Sequence, residues 1–215
     1  KDVVLNFDKP TKPSIHKYNI LPSSVELVKK VELMKRATTA AKNYSHEITQ
    51  VTVNYIDQEQ NVLIANTEGV FAEDKRVRTR MLIVAVAEQG GQLETGYVGP
   101  GALRGLEFYD TIDIEDYARE AARTAKTMVY ADYSPAGVMP VVIDNGFGGL
   151  MFHEACGHSL EASSVAKGVS IFSDKLGEKI ASDVVTLVDD GSIPNSWGSL
   201  GVDDEGNKTQ KNVLI

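Results

Sequence analysis

Residues 148–161 read Gly-Gly-Leu-Met-Phe-His-Glu-Ala-Cys-Gly-His-Ser-Leu-Glu, and this short stretch holds two of the chain's four histidines. Neutral imidazole nitrogen is a ligand of borderline-soft divalent metals such as zinc, and a glutamate beside such an ion can take a proton from water. His153 and His158 are therefore the candidate metal ligands, and Glu154 the candidate general base. In the common zinc-protease helix the histidines stand at i and i+4, about 40° apart around the axis. Here they stand at i and i+5, about 140° apart on a regular helix, which is too far round to share one ion. Glu154 and His158, at i and i+4, would share a face instead. A shared ion thus requires one residue to be absorbed, by a π-bulge or by a break at Gly157, where the missing Cβ permits unusual dihedrals. Two other side chains belong to the same reading. Cys156 is a soft donor, although small residues at such positions more often pack a helix against its neighbours. Glu161, three residues after His158, can orient an imidazole, cap a helix or simply be solvated. Two ordinary histidines on a buried helix remain the plain alternative, because so short a pattern also arises by chance.

These side chains must be placed by what surrounds them. Tyr133 to Gly137, with Pro135 and Gly137, punctuates the chain as a boundary. Met139–Ile143 reads as an apolar strand, Asp144 to Gly149 as a turn, and the motif helix starts near Gly149. After Glu161 the chain turns polar. Residues 163–173 read as a loop, serving either as a lid or as plain surface. Val184–Val188 and Asn212–Ile215 read as strands, and Asp203 to Gly206 as a hydrated turn without the oxygen spacing of a calcium loop.

Upstream, Val3–Leu5 reads as the end of a strand, and the prolines of residues 1–22 mark a connecting segment. Ser23 and Glu26 form a capping-box pattern before an amphipathic helix over about 24–43. From Ile48 the period becomes two. A strand there is followed by turn chemistry at Asp57–Asn61, a short strand Val62–Ala65, a turn at Asp74–Lys75, a long strand Val77–Glu88, Gly90–Gly91, and a return strand Gln92–Val98. Strands joined by short turns make an antiparallel meander. Residues 99–110 are a glycine-rich loop lacking the lysine and hydroxyl residue of a nucleotide loop. Asp113 caps a helix whose inner face runs Ile114, Tyr117, Ala121, Ala125 and Met128. The expected fold is α+β: an antiparallel sheet with flanking helices over residues 1–132, then a second mixed domain over 133–215 that carries the metal-motif helix and is truncated.

Composition sets outer limits. At 215 residues and 42% hydrophobic content, the chain can bury a sizeable core. Its net charge of −8 and lack of a long basic stripe argue against nucleic-acid binding. No long apolar run suggests a membrane span, and a single cysteine fits a reducing compartment. The chain starts at Lys1 and ends in an apparent strand, so it reads as a fragment.

The run Pro135–Ile143, then Gly148-Gly149-Leu150, then His153-Glu154-Ala155-Cys156-Gly157-His158-Ser159-Leu160-Glu161-Ala162 resembles the TldD/PmbA family, often labelled modulators of DNA gyrase. Asn66-Thr67-Glu68-Gly69 and Gly96 to Gly101 are similar to that family's second domain. The resemblance covers nearly the whole chain, as the middle of a longer protein. It implies a TldD-type metalloprotease with an HExxxH motif, in which His153 and His158 bind zinc, Glu154 is the general base, and a downstream cysteine beyond Ile215 is the third ligand. It further implies a cytoplasmic protein that hydrolyses unfolded or extended peptides in peptide maturation and protein turnover. Its partner would be a related TldE/PmbA-type subunit, as a heterodimer, or a second copy of itself; composition, not the resemblance, argues against nucleic acid and membrane. Two imidazoles fall short of the three protein ligands usual at catalytic zinc, so the 215 residues alone are expected to hold no firm zinc and to be inactive. The rival is a non-enzymatic binding or regulatory protein whose metal is structural or absent.

Overall fold

The structure is a computed structural model that describes residues 9–13 and 16–215; the strand end expected at Val3–Leu5 lies outside the described residues. Its contacts separate two compact units. One holds the described residues up to Asp132 together with Asp190–Gln210, and the other holds Tyr133–Asp189 with Lys211–Ile215.

The first unit has the expected α+β form. Helix α1 (Leu27–Lys42) precedes the long strands β1 (Ile48–Ala65) and β2 (Phe71–Gln89), then β3 (Gln92–Val98), the short β4 (Gly101–Ala102), and helix α2 (Ile114–Val129). The sheet order is β1-β2-β3 with antiparallel pairing, and β4 also pairs with β2. Alternation chooses the inner face. Val77, Thr79, Met81, Ile83, Ala85 and Ala87 of β2 are buried in turn, and Tyr55, Val53 and Val51 lie opposite Met81, Ile83 and Ala85. Ala118, Ala121, Ala122 and Ala125 give α2 a flat, fully buried face against this layer. β3 meets it at Gly96, where a Cβ would sit 2.1 Å from the Ala121 carbonyl oxygen and 2.6 Å from the Ala125 nitrogen. Only a residue without a side chain permits that approach.

Several local expectations differ from the structure. Tyr117 and Met128, expected on the inner face of α2, are exposed, and Ala118, Ala122 and Val129 are buried there instead. The expected loop 99–110 contains β4 and a 3-10 turn over Leu106–Asp110. The polar run Asp57–Asn61 is not a turn: β1 continues through it, paired with Lys75 to Thr79 of β2. Partners nearby offset its poor strand propensity, since Asp57 pairs with Lys30 at 2.6 Å and Glu59 accepts the Ser23 N–H at 2.8 Å. Asp74–Lys75 likewise lies inside β2, and the Asp74 carboxylate accepts from Arg76 and from the Gly201 N–H, each at 3.1 Å. The capping box is not formed. The Ser23 N–H is committed to Glu59, and Glu26 precedes α1 with no side-chain cap bond. Asp113 does cap α2, accepting from the Glu115 and Asp116 N–H groups at 2.9 and 3.1 Å.

Asp190–Gln210, expected within the second domain, belongs by its contacts to the first unit. Asn195, in the left-handed region at φ 58°, donates through its side-chain amide to the carbonyls of Lys17 and Leu103 at 2.9 and 2.8 Å. Its backbone N–H donates to His16 Nδ1 at 3.0 Å. Arg76 donates to the Val202 carbonyl at 2.8 Å.

Candidate metal centre

The second unit carries the motif on a segment that changes helical form twice. Helix α3 (Gly149–Phe152) is a single α turn, His153–Gly157 is π-helical, and His158–Leu160 is a 3-10 turn. The chain becomes extended at Glu161 (φ −59°, ψ 130°) before helix α4 (Ala162–Ala166). The expected strand Met139–Ile143 forms no ladder. Ile143 instead lies against the start of the motif, where a Cβ on Gly148 would come within 2.4 Å of its Cγ2. The expected strand Val184–Val188 is displaced to β5 (Val188–Asp190), which pairs with β6 (Lys211–Val213), shorter than the strand expected to reach Ile215. Part of the loop expected at 163–173 is α4.

The π turn answers the spacing problem. The His158 N–H bonds to the His153 carbonyl, five residues back, so one additional residue is taken into the turn. The two imidazole rings then meet edge to face, with centroids 4.4 Å apart and planes inclined by 67°. Gly157 makes room for this, since a Cβ there would stand 3.3 Å from His153 Nδ1. Among the described residues, His153, Glu154 and His158 form the group whose ligand atoms all lie within 4.8 Å of one another, and all three are exposed. Cys156 is half-buried and outside that group.

Around His158 the polar contacts are unequal. Glu161 Oε1 is 2.7 Å from Nδ1, a hydrogen bond, whereas Glu154 Oε2 is 3.8 Å from Nε2. The Glu161 bond, helped by the charge of Glu154, raises the pKa of His158 above that of an ordinary histidine.

The donor set suits a borderline metal. Two ligands at zinc bond lengths on a tetrahedral ion stand about 3.3 Å apart, so donors already within 4.8 Å need only small side-chain rotations to close. Imidazole pairs suit zinc, while a lone carboxylate beside them is free to act on a proton. The i, i+5 spacing calls for an irregular turn, and the structure has one that brings these three residues together. The role of Gly148 in receiving Ile143 carried no legible signal.

Comparison with known proteins adds independent findings. The family model described as the PmbA/TldA metallopeptidase central domain matches residues 20–129, and the one described as the PmbA/TldA metallopeptidase C-terminal domain matches residues 136–215. The metalloprotease TldD homolog of Haemophilus influenzae is 40% identical over 192 residues, covering 87% of this chain and 40% of its own length. A metalloprotease of Methanothermobacter thermautotrophicus is 35% identical over 194 residues, covering 90% of this chain and 42% of its own. The chain therefore spans about 40% of the length of the curated relatives it matches. Among solved structures, a putative modulator of DNA gyrase from Thermotoga maritima superposes with a TM-score of 0.79 at 23% identity, over 92% of this chain and 45% of that one. TldE from Thermococcus kodakarensis superposes with a TM-score of 0.64 at 22% identity, over 99% of this chain and 47% of that one. These structures share the fold.

Proposed function

The chain belongs to the PmbA/TldD family, and on that premise we propose that it forms the central and motif-bearing parts of a TldD-type zinc peptidase acting on unfolded or extended peptides. The observation that carries this reading is the π turn, which brings His153 and His158 together with Glu154 beside them. His153 and His158 would hold the zinc, with a third ligand from the downstream cysteine that the family resemblance leads us to expect. Zinc bound there would supply a Lewis acid, lowering the pKa of a coordinated water toward ~7 and polarising the peptide carbonyl.

The chain's own residues do the rest. Glu154, with a carboxylate that no hydrogen bond in the described residues occupies, takes the proton from the attacking water and can return it to the leaving amine. The two imidazoles, as neutral ligands, would fix the donor geometry. Exposure of all three side chains leaves room for an extended peptide to approach, as an open catalytic position requires. We read the whole protein as cytoplasmic and paired with a related TldE/PmbA-type subunit or with a second copy of itself. Among the described residues no helix is long and apolar enough to cross a membrane, and the absence of a long basic stripe supports a peptide rather than a nucleic acid as the substrate.

The test is Glu154→Gln in the full-length protein. Peptide hydrolysis should fall by about 10²–10⁴-fold, the usual worth of a general base, with the zinc content nearly unchanged. Activity that survives would show that Glu154 is not the base and would sink this reading. Parallel loss of metal and activity would make Glu154 a ligand.

A further inference from the structure

Two carboxylates face the His158 ring, one at each nitrogen, and only the one at Nδ1 is within hydrogen-bond distance. An ionised carboxylate accepts and never donates, so the 2.7 Å contact requires the proton to be on Nδ1. A neutral ring so held keeps its lone pair on Nε2, the nitrogen turned toward Glu154.

The local backbone explains why Glu161 is in place. The 3-10 turn His158–Leu160 eclipses side chains three residues apart, which sets Glu161 over the ring of His158. A glutamate just before α4 also has an alternative employment, capping that helix, and it does not take it. There is no side-chain cap bond, and the Ser164 and Val165 N–H groups go to the Glu161 backbone carbonyl at 3.0 Å each. Burial does not force the contact either, since both side chains remain 54% exposed.

We propose that Glu161 is a positioning residue of this centre, holding His158 in the Nδ1–H tautomer so that Nε2 is presented as the metal donor. The metal half of this statement rests on the reading of His153 and His158 as ligands; the tautomer half stands by itself. Carboxylates that orient ligating imidazoles in this way commonly contribute 10–100-fold to metal affinity.

The experiment uses full-length protein with 15N-labelled histidine, and His158 is assigned by comparison with His158→Gln. Long-range 1H–15N correlation spectra are recorded metal-free, above the titration range of the ring, and zinc affinity is measured by competition with a chromogenic chelator. Wild type should show His158 as Nδ1–H. Glu161→Ala should return it toward the Nε2–H form that free neutral imidazole favours, and should weaken zinc binding by about 10–100-fold. Glu161→Gln retains an accepting oxygen and should keep both the tautomer and most of the affinity. An Nδ1–H signal that persists in Glu161→Ala overturns the proposal, as does a tautomer change with zinc affinity unaltered. Zinc binding that is missing from wild type, or unchanged in His158→Gln, would instead sink the ligand reading itself. Since the Glu161 side chain is exposed, circular dichroism of the variants should match wild type.

Discussion

In the first unit Ala118, Ala121, Ala122 and Ala125 disappear against the sheet, whereas in the second Val138, Val142 and Leu176 stand wholly in solvent. The first unit's long helix α2 is regular and capped by Asp113, while the motif passes from α through π to 3-10 geometry between Gly149 and Leu160. The histidines show the same contrast. His16 is buried, with Nδ1 accepting the Asn195 N–H, and desolvation pushes its pKa down. His158 is exposed, and its bond to Glu161 pushes its pKa up. One residue type thus serves as a packed acceptor in one unit and as the exposed partner of a carboxylate in the other. The difference teaches where each geometry comes from: distributed burial in the first unit, and local backbone and side-chain hydrogen bonds in the second.

The largest effect should come from placing a side chain where burial leaves no space. Gly96→Val puts a Cβ into the Ala121 carbonyl and the Ala125 nitrogen, atoms of a helix backbone that cannot rotate away. The layers must separate, at a cost of about 3 kcal/mol or more, read as a lower unfolding midpoint and faster hydrogen exchange across α2 and β3. A variant of wild-type stability would show that α2 is not held to the sheet by this contact, and the contrast between the units would weaken.

How much of this was legible from the sequence follows the same division. Gln92–Val98 and the Asp113-capped helix could be read because period, turn glycines and cap all lie within a few residues of one another. Asp57–Asn61 could not, because the pairing that keeps it a strand comes from Lys75 to Thr79 and the ion pair from Lys30. The packing of Asp190–Gln210 within the first unit depends on Asn195 reaching Leu103, Arg76 reaching Val202 and Asp74 reaching Gly201, each across more than 90 residues of chain, and no local pattern encodes that. At the motif, the i, i+5 spacing announced that a regular helix would fail. It did not decide between a π turn and a break. Met139–Ile143 misled because an apolar run names no ladder partner, and the segment is neither paired nor buried.

A second way to sharpen the comparison is acid. Glu47 accepts from Ser45 and from Tyr130 (2.9 Å), with Lys126 at 3.4 Å, and the Ser45 bond is the foremost of the contacts that hold its pKa down at about 2. A folded-state pKa below the unfolded value of about 4.3 contributes stability that is complete above that value and is lost as pH falls toward about 2. Glu47→Gln should therefore be less stable than wild type at neutral pH, with the gap narrowing through that window when unfolding midpoints are followed against pH. A gap independent of pH would mean that the carboxylate's charge is immaterial.

Smaller again is the cap of α2. Asp113→Ala leaves the Glu115 and Asp116 N–H groups without their acceptor, and exchange of the first-turn amides should accelerate about fivefold, in line with an ordinary cap. Unchanged exchange would show that packing alone holds the helix start.

The smallest effect is expected from the most apolar-looking loss. Leu176→Ser removes a large hydrophobic side chain, a change that in a core would cost several kcal/mol through lost transfer energy and a residual cavity. Leu176 is fully exposed, however, so the isolated 215-residue chain has neither to lose. Its unfolding midpoint should correspond to a change within about 0.5 kcal/mol, as for surface positions generally. Val142→Ser, at a position equally exposed, should behave alike. A loss of several kcal/mol at Leu176 that grows with protein concentration would reveal a second copy packing there, and a loss independent of concentration would place Leu176 inside a core of its own. Either result would break the division between a buried first unit and a locally bonded second one.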